Sequence, residues 1–260
     1  MTVSVVCRAD SKVFSLPVGA CEEVLHHPSK NSPFAFLEVL GIHDSWEIAY
    51  ATPANALKRR QRTDLHMRLV IGISGASGSV YGIRALETLK KLGVEAHLIL
   101  TEAAQETIRL ETNYTKAEVE GLATEVHRIG DVTSKLASGS FRTDGMAIIP
   151  CSMKSLSGVA SGYADNLLLR AAEVTLKEKR PLVLVVRESP LTLIDLENMV
   201  TAARAGAVVL PAMPAFYHRP KTINDLVNQI AGKTLELLGV EHGLTKRWEG
   251  PASSKRRAMP

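Results

Sequence analysis

Val70–Gly82 reads VIGISGASGSVYG, four glycines and three serines placed behind an apolar run that begins at Met67. The run has the look of a buried strand, and the residues after the glycines carry helical spacing, so the glycines mark a tight strand-to-helix turn. A dinucleotide fingerprint needs G-x-G-x-x-G, whereas the spacing here is Gly72, Gly75, Gly78; a phosphate loop needs G-K-[ST], which is absent. What remains is a turn whose backbone N–H groups sit at a helix N-terminus, with Ser74, Ser77 and Ser79 adding hydroxyls. Such a turn is an anion site if a ligand is present and a plain serine-rich turn if not.

Beyond this stretch the pattern repeats. Short apolar runs over Arg68–Ile73, Glu95–Leu100, Met146–Ile149, Leu182–Val186 and Ala207–Leu210 predict buried parallel strands. Amphipathic stretches over Val80–Leu92, Glu102–Leu110, Asp165–Lys179, Asp195–Ala205 and Ile223–Leu238 predict helices, the last opened by the capping sequence TIND at Thr222. Strand and helix in alternation imply a three-layer α/β domain of flavodoxin-like or Rossmann-like type with a mainly parallel sheet.

Composition narrows the function classes. Among 260 residues the net charge is +4 and aromatics make up 5%, too few for a base-stacking surface, so nucleic acid is not an expected partner. No apolar run approaches the roughly 20 residues of a membrane span, and no membrane partner is expected. Cys7, Cys21 and Cys151 form no paired motif, which suits a reducing, cytoplasmic setting. No H-x-x-H or H-E-x-x-H spacing appears, so no metal is expected. Residues 1–66 lack a sustained period and end in the basic run KRRQR, but their acids are too many for a targeting peptide. They read as an appended, poorly structured extension before a domain over 67–250 and a tail over 251–260.

In such sheets ligands bind outside the carboxyl ends of the strands. Those ends carry SGASGS, TEAAQ, PCSMKS, RESPL and PAMPAFYHRP, each rich in hydroxyls, charges or small residues, and one composite site along this edge follows. Arg187 and Glu188 emerge together from an apolar strand, where unpaired charge is costly. Arginine suits a phosphate, and a carboxylic acid beside it can share or donate a proton. Lys233 stands at the border of an apolar helical stripe, either snorkelling to solvent or directed at an anion in its own or a neighbouring subunit. Arg170 and Lys177 share a helix face that a solvated stripe explains equally well. Cys151 has no partner histidine in a recognisable motif and is not expected to act as a nucleophile.

GISGASGSVYGIR, SGSFRTDGMAIIPCSMKSL, RAAEVTLKEKRPLVLVVRESPL, LENM and PAMPAFYHRP together resemble the UbiX-type flavin prenyltransferases, also called phenylacrylic acid decarboxylase-like flavoproteins. The resemblance runs from about Met67 to Trp248. It implies a metal-independent transferase that joins a dimethylallyl group from dimethylallyl phosphate to N5 and C6 of reduced FMN. The product serves UbiD-type decarboxylases, and the family's assemblies imply a homo-oligomer, a dodecamer. FMN contacts would fall on Gly75, Ala76, Ser77, Thr101, Cys151, Ser152, Met153, Lys154 and Arg187. Prenyl-phosphate contacts would fall on Arg170, Lys177, Arg187, Glu188, Tyr217 and Lys233. Glu188, Ser77 and Glu111 would carry the proton transfers, and Lys233 stands where relatives have arginine, keeping the charge but not the fork. An FMN-dependent decarboxylase of aromatic acids or cysteine, or a non-catalytic flavin carrier, are the alternatives.

Overall fold

The computed structural model describes residues 2–6, 13–17 and 67–245. The chain divides into two compact units, Met1–Thr63 and Asp64–Pro260. In the first, β1 (Thr2–Val6) and β2 (Val13–Pro17) pair antiparallel. The rest of the expected extension and the tail over 251–260 lie outside the described residues.

The second unit contains β3 (Arg68–Ile73), α1 (Ser79–Leu92), β4 (Glu95–Leu100), α2 (Glu102–Glu111), α3 (Lys116–Glu120) and β5 (Glu125–His127). After a short 3-10 turn at Lys135–Ala137 follow β6 (Gly145–Cys151), α4 (Met153–Ser161), α5 (Leu167–Lys177), β7 (Leu182–Val186), α6 (Leu193–Ala205), β8 (Val208–Val209) and α7 (Ile223–Leu237). The six strands from β3 onward form one parallel sheet in the order β5-β4-β3-β6-β7-β8. Counted from β3 this is the doubly wound order 3-2-1-4-5-6, with its switch point between β3 and β6. The three-layer parallel α/β domain expected from the alternation is therefore present.

Alternate residues of each strand feed two cores. Leu69, Ile71, Ile73, Ala147, Ile149, Val183 and Val185 face α1, α2 and α7, whereas Val70, Met146, Ile148, Leu182, Leu184 and Val186 face α4, α5 and α6. Each such side chain, fully buried, contributes about 1.5–3 kcal/mol of transfer free energy. Gly82 lets α1 settle on β6, because a Cβ there would stand 2.3 Å from the carbonyl oxygen of Ile149.

Several elements differ from the sequence expectation, among them the short helix α3, which it does not place. β5 is only three residues long and carries Glu125 and His127, so it has no apolar run to announce it. Helix α4 follows Ser152, which caps it, and stops at Gly162 with φ 69°; its serines and glycines hide the helical period. β8 is shorter than expected, although Leu210 and Ala212 still donate to Leu184 and Val186. Helix α6 is the exposed one: only Ala202 is buried, while Leu193 (70% exposed), Ile194 (69%), Leu196 and Val200 face outward.

Candidate functional site

Ser74, fully buried at the end of β3, ties the switch point shut. Its N–H and hydroxyl both donate to the carbonyl of Pro150, at 3.2 and 2.9 Å, and its Oγ accepts from the N–H of Ser152 at 2.8 Å. Pro150 follows a cis peptide bond. Sequence reading took Ser74 for one more turn hydroxyl; its residue type gave no sign that it would staple two strand ends 76 residues apart.

Helix α2 lies along the glycine-rich turn. Near its start Ala103 packs on Gly75, where a Cβ would come within 2.3 Å of the alanine methyl. From its last residue, Glu111 reaches the start of α1: its Oε2 accepts from the N–H of Gly78 (2.8 Å), the N–H of Ser79 (3.1 Å) and the Ser79 hydroxyl (3.1 Å). Burial alone would raise the Glu111 carboxyl, but hydrogen bonds from Ser77, Gly78 and Ser79 outweigh it and hold it below the ordinary carboxylate value. The anion position at this helix N-terminus is thus filled by the protein's own carboxylate. The reading of the turn as a ready site for a ligand's phosphate changes accordingly. Among the described residues the N–H groups of Gly75 and Ser77 have no protein acceptor, so the turn still offers donors.

The neighbouring strand ends add to this edge. Thr101 caps α2 by accepting from Ala104, and Ser152 caps α4 by accepting from Ser155. Met153 is half-buried beside Ser152, and Lys154 is exposed. Cys151 is fully buried, and burial pushes its thiol up to about 12, so it stays protonated and unreactive, in keeping with its small-apolar reading. Arg187 donates its backbone N–H to the Cys151 carbonyl, fixing the start of the RESPL turn beside the CSMK turn. Burial raises the Tyr81 hydroxyl, the positive Arg187 lowers it, and Glu111 raises it further. Tyr81, Arg187 and Glu111 therefore share one electrostatic neighbourhood around the first turn of α1. Tyr81 was not singled out from sequence, where it reads as an ordinary helix residue. Glu188 is exposed and turns back to accept from the N–H of Ser189 at 2.9 Å.

The other basic candidates lie elsewhere in the single chain. Lys177 ends α5, about 15 Å along the helix from its start at the carboxyl edge, and stands 3.7 Å from Glu178. Lys233, ten residues into α7 and so also about 15 Å from that edge, pairs with Glu236 at 3.1 Å. Arg170 donates to the Ala137 carbonyl and to Glu173. Tyr217 is exposed on the PAMPAFYHRP segment. One copy of the chain brings together the candidates on the β3, β4, β6 and β7 ends, and leaves Lys177 and Lys233 remote.

A flavin suits the group that one copy does assemble. The free turn donors, the hydroxyls of Ser77, Thr101 and Ser152, the cation of Arg187 and the half-buried Tyr81 and Met153 combine polar contacts for a ring edge with apolar surface for its face.

Similarity to known proteins agrees. A family model described as Flavoprotein matches residues 57–235. The chain is 53% identical to the flavin prenyltransferase UbiX of Thauera aromatica over 71% of this chain and 95% of that protein. It is 48% identical to that of Escherichia coli K12 over 70% and 98%. Among solved structures, AnUbiX (PadA1) in complex with FMN and dimethylallyl pyrophosphate superposes with a TM-score of 0.71 at 45% identity, covering 72% of this chain and all of that one. A dodecameric FMN-dependent UbiX-like decarboxylase from Escherichia coli O157:H7 gives 0.69 at 47%, covering 71% and all. With nearly the whole length of several such proteins matched at about half identity, the chain belongs to the UbiX-type flavin prenyltransferases.

Proposed function

We propose that this protein joins the dimethylallyl group of dimethylallyl phosphate to N5 and C6 of reduced FMN, releasing phosphate. The observation that carries the reading is the grouping of Ser77, Glu111, Arg187 and Glu188 at one sheet edge, in a chain that matches flavin prenyltransferases over nearly their full length. Reduced FMN supplies the nucleophilic ring positions; the chain supplies the rest. Gly75, Ala76 and Ser77, with Thr101 and the Cys151–Lys154 turn, hold the flavin. Arg187 binds the phosphate, and Glu188 stands beside it to donate a proton as the allylic C–O bond breaks. Glu111, kept ionised by its three neighbours, serves as the acceptor for a proton passed through the Ser77 hydroxyl. Met153 and Met213 shelter the allylic cation from water.

Lys177, Lys233, Arg170 and Tyr217 complete the phosphate site from neighbouring copies in a homo-oligomer. The distance of Lys177 and Lys233 from the edge within one chain and the outward apolar side chains of α6 support this, as does the dodecameric relative. The catalytic unit is residues 67–250, with 1–66 appended and 251–260 a tail. The prenylated flavin passes to a UbiD-type decarboxylase. A cytoplasmic setting is supported by the free, buried thiol of Cys151 and by the lack, among the described residues, of a helix long and apolar enough to cross a membrane.

Anaerobic incubation with reduced FMN and dimethylallyl phosphate, followed by mass spectrometry of the flavin, tests this directly. A gain of one five-carbon unit supports the transferase. Unchanged flavin with release of carbon dioxide from an added acid supports the decarboxylase that the Escherichia coli O157:H7 relative is named for.

A further inference from the structure

Away from the strand ends that bind the flavin, β4 and β5 bring two buried imidazoles and a carboxylate to one point. His97 is opposite Glu125 in the strand register, and His127 is two residues beyond Glu125, so all three project from the same face of the ribbon. His97 Nδ1 lies 2.9 Å from His127 Nε2; Glu125 Oε1 lies 3.6 Å from His127 Nε2, and its Oε2 lies 3.8 Å from His97 Nδ1. Ligands held at about 2.0–2.1 Å around a tetrahedral Zn²⁺ are about 3.4 Å apart; one ligand atom from each of the three residues lies within 4.8 Å of the others, so a modest turn of the Glu125 side chain and of the rings meets that spacing.

The outer contacts are those of ligating histidines. His97 Nε2 meets Glu95 Oε1 at 2.9 Å, and Arg68 in turn pairs with that carboxylate at 2.7 Å. His127 Nδ1 meets the Ser134 hydroxyl at 2.9 Å, and Phe141 closes over His97 edge-on. An ionised Glu95 only accepts, so the His97 proton sits on Nε2 and Nδ1 presents a lone pair toward His127. The contact between the rings then rests on one hydrogen of His127. Moving that hydrogen from Nε2 to Nδ1, where Ser134 can accept it, leaves two lone pairs and a carboxylate aimed at one position, with no net proton released. Lys135 takes Glu125 Oε2 and leaves Oε1 on the side of His127.

We infer that His97 Nδ1, His127 Nε2 and a carboxylate oxygen of Glu125 form a three-ligand zinc site with solvent in the fourth position, which also fastens the three-residue strand β5 to β4. Sequence spacing conceals it, since the two histidines are 30 residues apart and meet only through sheet register.

The test uses the full chain, stripped with a chelator, titrated with ZnCl2 and separately with CoCl2. Each is compared with Glu125→Gln, which changes a partly exposed side chain, and with His127→Gln, both confirmed folded by circular dichroism. Because residues 1–66 hold other cysteines and histidines, the readout is the difference from the parent chain. The parent is expected to bind one more equivalent of Zn²⁺ than His127→Gln, at least 10-fold tighter than Glu125→Gln, and to show a visible cobalt absorption that His127→Gln lacks. Equal stoichiometry, affinity and cobalt spectra in the parent and both folded variants would overturn the assignment and leave a hydrogen-bonded histidine relay.

Discussion

The carboxylate of Glu111 lies 2.8 Å from the backbone nitrogen of Gly78, 33 residues earlier, and so the C-terminus of one helix caps the N-terminus of another. The acid proposed as the proton acceptor is also a structural acid. Its lowered pKa sets the sign of a pH effect: the stabilisation is complete above the unfolded-state value and is lost as pH falls through the folded one. Glu111→Gln should therefore cost about 0.5–2 kcal/mol at neutral pH. Thermal melts of the variant and the parent should differ by a few degrees near pH 7 and converge once the pH falls below the ordinary carboxylate range. A gap that widens with acid contradicts the capping role.

Glu188 is exposed and engaged only with its own turn, so removing its acidity does not disturb the core. Glu188→Gln is expected to bind FMN as the parent does, by fluorescence quenching, and to slow prenylation by roughly 10²- to 10⁴-fold. Near-normal turnover would refute its role as proton donor.

Most of the fold was legible because buried parallel strands are continuous apolar runs: Arg68–Ile73, Glu95–Leu100 and Leu182–Val186 begin and end where the sequence puts them. β5 was not, since Glu125-Val126-His127 has neither an apolar run nor alternation long enough to read. At the site, Arg187 and Glu188 stood out as charges leaving an apolar strand. The Glu111 clasp and the Ser74 staple did not, because each joins residues far apart in sequence through hydrogen bonds that only the folded chain brings within reach. Helical spacing gave Lys177 and Lys233 a face but not a height, and height along the helix is what separates them from the edge.

Ser74→Ala removes a hydroxyl that is both donor and acceptor inside the switch point. Left without it, the N–H of Ser152 loses its buried partner, at a cost of about 1–3 kcal/mol. The expected result is a lower midpoint in urea and weaker FMN binding, because the CSMK turn is no longer pinned to the glycine turn. Unchanged urea midpoint and FMN affinity would show the staple to be dispensable.

Gly82→Ala puts a methyl 2.3 Å from the Ile149 carbonyl oxygen, with the Ile73 side chain also within 3 Å. Overpacking of this kind costs about 1–3 kcal/mol, so the melting temperature should fall by several degrees, while Gly93→Ala, where nothing lies within 4 Å, tests backbone strain alone.

If Lys233 serves the site of a neighbouring copy, two defects can compensate. Glu188→Gln and Lys233→Ala, each inactive alone, should regain prenylation when co-expressed, because mixed oligomers contain sites with neither defect. Absence of any recovery in verified mixed oligomers would place both residues in the same copy's site.

Helix α6 turns Leu193, Ile194, Leu196 and Val200 to the outside. If copies of the chain cover this apolar face, they are drawn together for reasons unrelated to chemistry. If the same contacts deliver the remote lysines, catalysis acquires a threshold in copy number. Below it the cell would hold folded, flavin-loaded chains that turn nothing over, and above it activity would climb more steeply than protein abundance. A leucine on α6 would then behave in a genetic screen like an active-site residue, without touching a substrate.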